Sequence, residues 1–430
     1  MIELTVRELR EACGGKLICS AEADKMLLNT KINCITTDSR SVLPEEREKN
    51  AGTAFLALRG ERFDGNSFAD AMAKSGVGAI ICSLQEKEAA KLAEYGTAAI
   101  TVNDTQKALG DIALYYNGLF KLPVVAVTGS VGKTSTKEMT AAVLAESFKV
   151  LKTEANFNNE IGLPKTLLEL DGSYEAAVLE MGMRGPGQIK YLCNIARPSI
   201  GVITNIGIAH IELLKSRENI FRAKLEIASY MSEKGKLILN GDDDMLSDRA
   251  KVERVLKEYG VSPEIIYFGT SEGCDYRAGM IEAGDEGSRF LFTAPNGSIP
   301  VCISLPGKHN IINAVAAAAV GVSCGMSLDA VAHGIETLNG GVFIRQKIEH
   351  TAYGITLIDD TYNAGLESMK AAVSVLTDIK ISAEGRYCAV LGDMLELGEL
   401  SEKAHIEVGR FAAERGVALI VTSGRRARDI

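Results

Sequence analysis

The 430-residue chain has nine cysteines but no C-x-x-C pair. That scatter argues against both a zinc site and a disulfide framework, and for a reducing cytoplasm. No apolar run approaches the ~20 residues needed to cross a bilayer. There is no basic stretch either. With 47 Lys and Arg against 56 Asp and Glu, the formal net charge is −9, so nucleic acid is not expected as a partner. An anionic substrate would have to be held by local basic residues against an unhelpful overall field. Glu3, Glu8 and Glu11 lie where a secretory signal would be basic and then apolar. Internal repeats and low-complexity segments are lacking. Hydrophobic residues make up 46% and charged residues 24%, the balance of a soluble globular protein with two to four domains.

What is present begins with "VVAVTGSVGKTSTKEM", residues 124–139. A β-branched run reads as a buried parallel strand, and a helix follows. Gly129 and Gly132 allow a turn tight enough for several N–H groups to face one anion. The helix adds the positive end of its dipole. Ser130 and Ser135 flank the key pair: Lys133 can reach the β- and γ-phosphates, and the Thr134 hydroxyl can meet Mg²⁺. The general P-loop pattern would place a further glycine at position 127, which is Val. The bland alternative is a glycine-rich turn with a surface lysine.

The fold expected is α/β in three parts. Residues 1–115 alternate short strand signals ("TAFLAL", "VGAIICS", "TAAITV") with helices, as in a small α/β domain. Residues 116–338 carry the P-loop and a βαβ rhythm, which predicts an open, mostly parallel sheet. Residues 339–430 read as a Rossmann-like α/β unit, with strands "YGITLIDD" and "YCAVLGD" and helices near 364–378 and 401–415. Because the chain stops after the apparent strand "ALIVTS", that unit is expected to be truncated.

The segments "TGSVGKTSTKEM", "TEANFNNEIGLPKTLL", "LEMGMRGPGQIKYL", "PGKHNIINAVAAAA", "DDTYNAGLESMKAA" and "LGDMLELG" resemble the Mur ligase family of ATP-dependent amide-forming enzymes, across essentially the whole chain. Members that add the third amino acid carry Asp-Tyr-Ala-His where this sequence has "DDTYNAG". The resemblance therefore implies UDP-MurNAc-tripeptide and D-Ala-D-Ala as partners, joined through an acyl phosphate in cell-wall precursor synthesis. A monomer is expected. Two alternatives stay open: a sister or folylpolyglutamate-type ligase with another amino donor, and a P-loop ATPase that makes no bond.

Residue roles follow from the resemblance. Thr134 and Glu180 would hold Mg²⁺ on the ATP phosphates. His210 and a carbamylated Lys224 would hold a second ion. Asn310 and Asn313, three apart on a helix, would meet adenine; Asp360 would meet the ribose and Arg345 the γ-phosphate. Ser39 and Arg40 of "TTDSRSV" would bind the UDP group, making residues 1–115 the nucleotide-sugar domain. Asn158, Asn159 and Glu160 would meet the tripeptide substrate or phosphates, and Tyr362 and Asn363 the dipeptide. Each has a plainer reading: Glu180 paired with an Arg, His210 and Asn310 as helix caps, Lys224 as a solvated helix residue, Asn159 and its neighbours as local caps, Asp38 and Ser39 as turn formers.

Overall fold

The computed structural model describes residues 2–18, 24–60, 63–284, 287–338, 347–383 and 385–430. They form two compact units: Met1–Lys121 with Glu154–Tyr174, and Leu122–Thr153 with Glu175–Ile430.

In the first unit, strands β1 (Lys16–Ile18), β2 (Cys34–Thr36), β3 (Thr53–Leu56), β4 (Ala79–Cys82) and β5 (Ala98–Thr101) share one sheet. Their order is β1-β5-β4-β3-β2. The pairings are parallel except that of β1 with β5. Helix α1 (Thr105–Asn117) is capped by Asp104, whose carboxylate accepts from the N–H of Gln106 and Lys107. Near its end, buried Tyr116 donates its hydroxyl to the Leu170 carbonyl. Burial pushes that phenol up to about 12, so it stays a donor. This bond helps attach the 154–174 excursion to the first unit.

The second unit is built on a nine-stranded sheet. Its strands are β6 (Val124–Thr128), β7 (Val150–Lys152), β8 (Ala176–Glu180), β9 (Ile200–Ile203), β10 (Lys236–Asn240), β11 (Glu264–Gly269), β12 (Tyr276–Gly284), β13 (Gly287–Ala294) and β14 (Gly297–Ile303). The order is β14-β13-β12-β11-β10-β9-β6-β8-β7. Strands β6 to β12 pair in parallel, as expected. Strands β12 to β14 instead form an antiparallel meander. The cause is readable in β13, where burial alternates along "GSRFLFTA", the period of a strand covered on one face. By contrast, β6 is buried along its whole length. It lies between β9 and β8, the point where strand order reverses, so the crevice opens at its carboxyl end.

Two helices pack there. Helix α2 (Lys133–Ala145) follows the P-loop, and the alanine-rich α5 (Lys308–Ser323) packs against it; α3 (Gly162–Leu167), which belongs to the first unit, and α4 (Arg217–Leu225) come between them in sequence. Residues Ala314 to Val320 of α5 are fully buried. Small side chains let α5 approach α2 closely; a Cβ at Gly321 would lie 2.7 Å from Val143 Cγ1. Beyond residue 346, β15 (Lys347–His350) and β16 (Thr356–Asp359) form a hairpin. Helix α6 (Leu366–Asp378) follows. Strands β17 (Cys388–Gly392) and β18 (Leu419–Ser423) are parallel and joined through α7 (Ser401–Glu414), a βαβ crossover. No described helix is long and apolar enough to cross a membrane.

Candidate active site

The P-loop is clamped from β9. Register sets Ile203 beside Thr128, so the residues after β9 run alongside the loop. Asn205 Oδ1 accepts from the Val131 N–H (2.9 Å), and its amide donates to the Val131 carbonyl (3.0 Å). Ser130 Oγ accepts from the Gly207 N–H at 2.8 Å. Gly129 has φ +155°, and a Cβ there would fall 1.8 Å from Thr204 Oγ1. Only glycine fits that close approach. Gly132, at φ +84°, starts α2. Lys133 Nζ donates to the Gly129 carbonyl at 2.9 Å.

A cavity of about 340 Å³ opens above this loop. The loop contributes Ser130, Gly132, Lys133, Thr134 and Ser135. The segment after β9 contributes His210, helix α5 contributes Asn310 and Asn313, and the chain before α6 contributes Asp360 and Asn363. Residues 180 apart or more in sequence thus share one wall. Asn313 Oδ1 accepts from Thr136 Oγ1 at 3.2 Å, while Asn310 Nδ2 donates to the Pro306 carbonyl at 2.8 Å. Tyr362, next to Asn363, is 53% exposed and does not line the cavity. Arg345 lies outside the described residues.

Glu180 ends β8, level with Val127 of β6. Its carboxylate is buried, and its N–H donates to Thr153 Oγ1 at 3.0 Å. Lys224, on α4, is 2% exposed. Burial, with the nearby Lys133 ammonium, drives its amine well below the usual lysine value. His210 is hydrogen-bonded through Nδ1 to Glu396. Burial holds this imidazole below its ordinary value; Glu396 opposes the shift, while Lys133 and Lys224 add to it.

Among the described residues, no three His, Cys, Asp or Glu side chains converge on one point. Such a wall still suits Mg²⁺, which takes one or two protein oxygens and fills its octahedron from phosphate and water. The Thr134 hydroxyl, on the cavity wall, and the Glu180 carboxylate, buried at the end of β8 and not among the lining residues, are donors of that kind.

The first unit holds the other predicted residues. Ser39 opens a 3₁₀ turn, Ser39–Ser41, capped by Asp38. Arg40 forks onto Asp38, with Nε at 2.9 Å and Nη2 at 2.8 Å. This pairing holds the Asp38 carboxyl down at about 2. Asn159 Oδ1 accepts from the N–H groups of Ile161 (3.1 Å) and Gly162 (2.9 Å), which is the local capping role, at the start of α3. Asn158 and Glu160 beside it are half-buried.

Three models of one family match the chain in succession: the Mur ligase family catalytic domain over residues 31–117, the Mur ligase middle domain over 127–321, and the Mur ligase glutamate ligase domain over 345–430. UDP-N-acetylmuramoyl-tripeptide–D-alanyl-D-alanine ligase of Escherichia coli K12 is 36% identical over 433 residues, covering 100% of this chain and 88% of the relative. The chain belongs to the Mur ligase family. Among solved Mur ligases, MurF from Acinetobacter baumannii superposes with a TM-score of 0.87 at 34% identity, over 100% of this chain and 87% of that one. MurF from Thermotoga maritima, solved in complex with ADP, gives 0.75 at 28% identity over 90% and 88%.

Sequence reading missed several residues of this Mur ligase site. Thr204 and Asn205 were visible only as part of "IGVITNIG". Glu367 Oε1 accepts from the Ile208 N–H at 3.2 Å, and Glu396 meets His210; both arise from chain folded back over more than 150 residues. The quoted motifs "DDTYNAGLESM" and "LGDMLELG" contain these two glutamates, and that was the available signal.

Proposed function

We propose that the chain is a cytoplasmic, monomeric, ATP-dependent ligase that joins UDP-MurNAc-tripeptide to D-Ala-D-Ala in peptidoglycan precursor synthesis. The observation that carries this reading is one cavity where Lys133 and Thr134, Asn310 and Asn313, and Asp360 and Asn363 meet. Full-length likeness to ligases bearing that name supports it. On this reading residues 1–115 bind the nucleotide sugar, 116–338 bind ATP, and 339–430 present the amine.

The tripeptide's terminal carboxylate attacks the γ-phosphorus of ATP, the bond to ADP breaks, and an acyl phosphate forms. The dipeptide amine then attacks the acyl carbon. Phosphate leaves with the electrons of the C–O bond, and the nitrogen gives up a proton. The P-loop N–H groups from Gly129 to Ser135 cradle the phosphates. Lys133 places its charge on the transferring group, and Arg345 adds a second cation. Asn310 and Asn313 read adenine, and Asp360 accepts from the ribose. Ser39 and Arg40 hold the UDP diphosphate, which requires Arg40 to exchange Asp38 for phosphate oxygens. Asn158, Asn159 and Glu160 face the tripeptide, and Tyr362 and Asn363 the dipeptide. Thr134 and Glu180 would hold Mg²⁺, and His210 with Lys224 would hold a second ion; such ions would supply positive charge against the two anions that meet in the first step. Lys224 serves as a carbamate: its neutral amine adds CO₂, a C–N bond forms, and a proton is released.

Phosphate release tests this. It should require Mg²⁺, the UDP-tripeptide and D-Ala-D-Ala together. Turnover of ATP without the dipeptide would contradict it.

A further inference from the structure

The His210–Glu396 bond joins two segments that do different jobs. His210 follows β9 in the nucleotide-binding sheet. Glu396 follows β17 in the segment that bears the amine site. The main chain supports the same junction, since the Glu212 N–H donates to the Glu396 carbonyl at 3.1 Å. Both side chains are held by left-handed backbone: φ is +63° at His210 and +59° at Glu396. Neither is glycine, and such a conformation is strained for a residue with a Cβ. Strain on both sides of one hydrogen bond marks a contact that the surrounding fold enforces. Arg184 Nε lies 4.0 Å from the Glu396 carboxylate.

A histidine that ligates a metal through one ring nitrogen commonly donates the other N–H to a carboxylate. That bond fixes the tautomer and the ring plane. Here Nδ1 is engaged by Glu396, so the proton on Nδ1 leaves the Nε2 lone pair for a metal. We propose that Glu396 is the positioning residue for His210 and that the second metal site is completed only when the segment after β17 is seated on the loop after β9. Metal binding and docking of the amine-bearing segment are then one linked equilibrium. This rests on the reading of His210 as a metal ligand given above.

The test is Mn²⁺ binding without turnover, followed by electron paramagnetic resonance. It is done on the full chain with β,γ-imido-ATP and UDP-MurNAc-tripeptide present. Glu396→Gly removes the carboxylate and relieves the left-handed backbone, so folding is not put at risk. Both His210→Ala and Glu396→Gly should weaken the second Mn²⁺ by about 10–100-fold. The double variant should be no weaker than His210→Ala alone. Glu396→Gln, which keeps an acceptor oxygen, should recover most of the affinity. If His210→Ala weakens Mn²⁺ but Glu396→Gly binds it like wild type, the positioning role is wrong. If His210→Ala itself binds normally, the ligand reading fails, and the positioning role falls with it.

Discussion

Asn313 and Thr136 are hydrogen-bonded across 177 residues, Thr136 Oγ1 donating to the Asn313 carboxamide oxygen at 3.2 Å. The same oxygen lies 2.9 Å from the place a Cβ would occupy at Gly132. Helix α5 is thereby locked to the first turn of α2, and the amide proposed to read adenine is oriented by the helix proposed to hold the phosphates. Asn313→Ala should raise the KM for ATP about tenfold, the equivalent of about 1.4 kcal/mol. A KM within twofold of wild type would remove Asn313 from the nucleotide site. Gly132→Ala should be worse, because it meets this oxygen and a left-handed φ together.

Lys133→Ala should lower kcat by about 100-fold or more, the usual loss for one electrostatic donor aimed at developing charge. Its effect on the melting temperature should be small. The side chain is only half-buried, and its described hydrogen bonds go to carbonyls of its own loop. Steady-state kinetics beside a thermal melt separates the two. A variant with wild-type kcat would show that another group holds the phosphate.

The buried ion pair one turn further along α2 predicts the reverse. Lys137 Nζ lies 2.6 Å from Glu138 Oε1 and donates to the Thr153 carbonyl at 2.6 Å, with its side chain 1% exposed. Removing it leaves buried Glu138 with Lys152 alone and takes the donor from the Thr153 carbonyl, and losing one partner of a buried pair costs about 3–5 kcal/mol. Lys152, the other partner of Glu138, is 31% exposed, and Lys152→Ala should cost no more than about 1 kcal/mol. Urea unfolding should rank the two variants in that order; equal midpoints would refute the ranking.

What the sequence made legible was local. The P-loop, its strand and its helix are contiguous, so spacing alone exposed Gly129, Gly132, Lys133 and Thr134. Glu180 and His210 were named from the family resemblance; His210 lines the cavity, whereas Glu180, at the end of β8, is not among its lining residues. The clamp by Thr204 and Asn205 was not legible, because its value depends on β9 lying beside β6, a matter of strand order. Glu396 was hidden for the same reason at longer range. The β12–β14 meander was present as alternation in "SRFLFTA", but the βαβ rhythm before it suggested more of the same. At Asn159 the local reading, a helix-start cap, describes the hydrogen bonds made in the structure, and Arg40 spends its fork on Asp38.

Lys224 gives a prediction with a sign in pH. Burial and Lys133 depress its amine, which favours the neutral form that adds CO₂. A carbamate proposed there would be lost as pH falls, because acid protonates the amine and releases CO₂. Activity should therefore decline on the acid side more steeply in CO₂-stripped buffer than in bicarbonate. Lys224→Ala should lose most activity and regain part of it with acetate or formate. Lys224→Arg should be inactive, since it cannot become an anion. Full activity of Lys224→Arg would return Lys224 to a structural role.

The central claim is the identity of the bond made. It is tested most directly by incubating the protein with ATP, Mg²⁺, UDP-MurNAc-tripeptide and a panel of amino donors, and reading product masses. The account predicts one dominant product, the tripeptide substrate plus D-Ala-D-Ala less one water, with ADP and phosphate in equal amounts. A product formed with a single free amino acid and none with the dipeptide would contradict it.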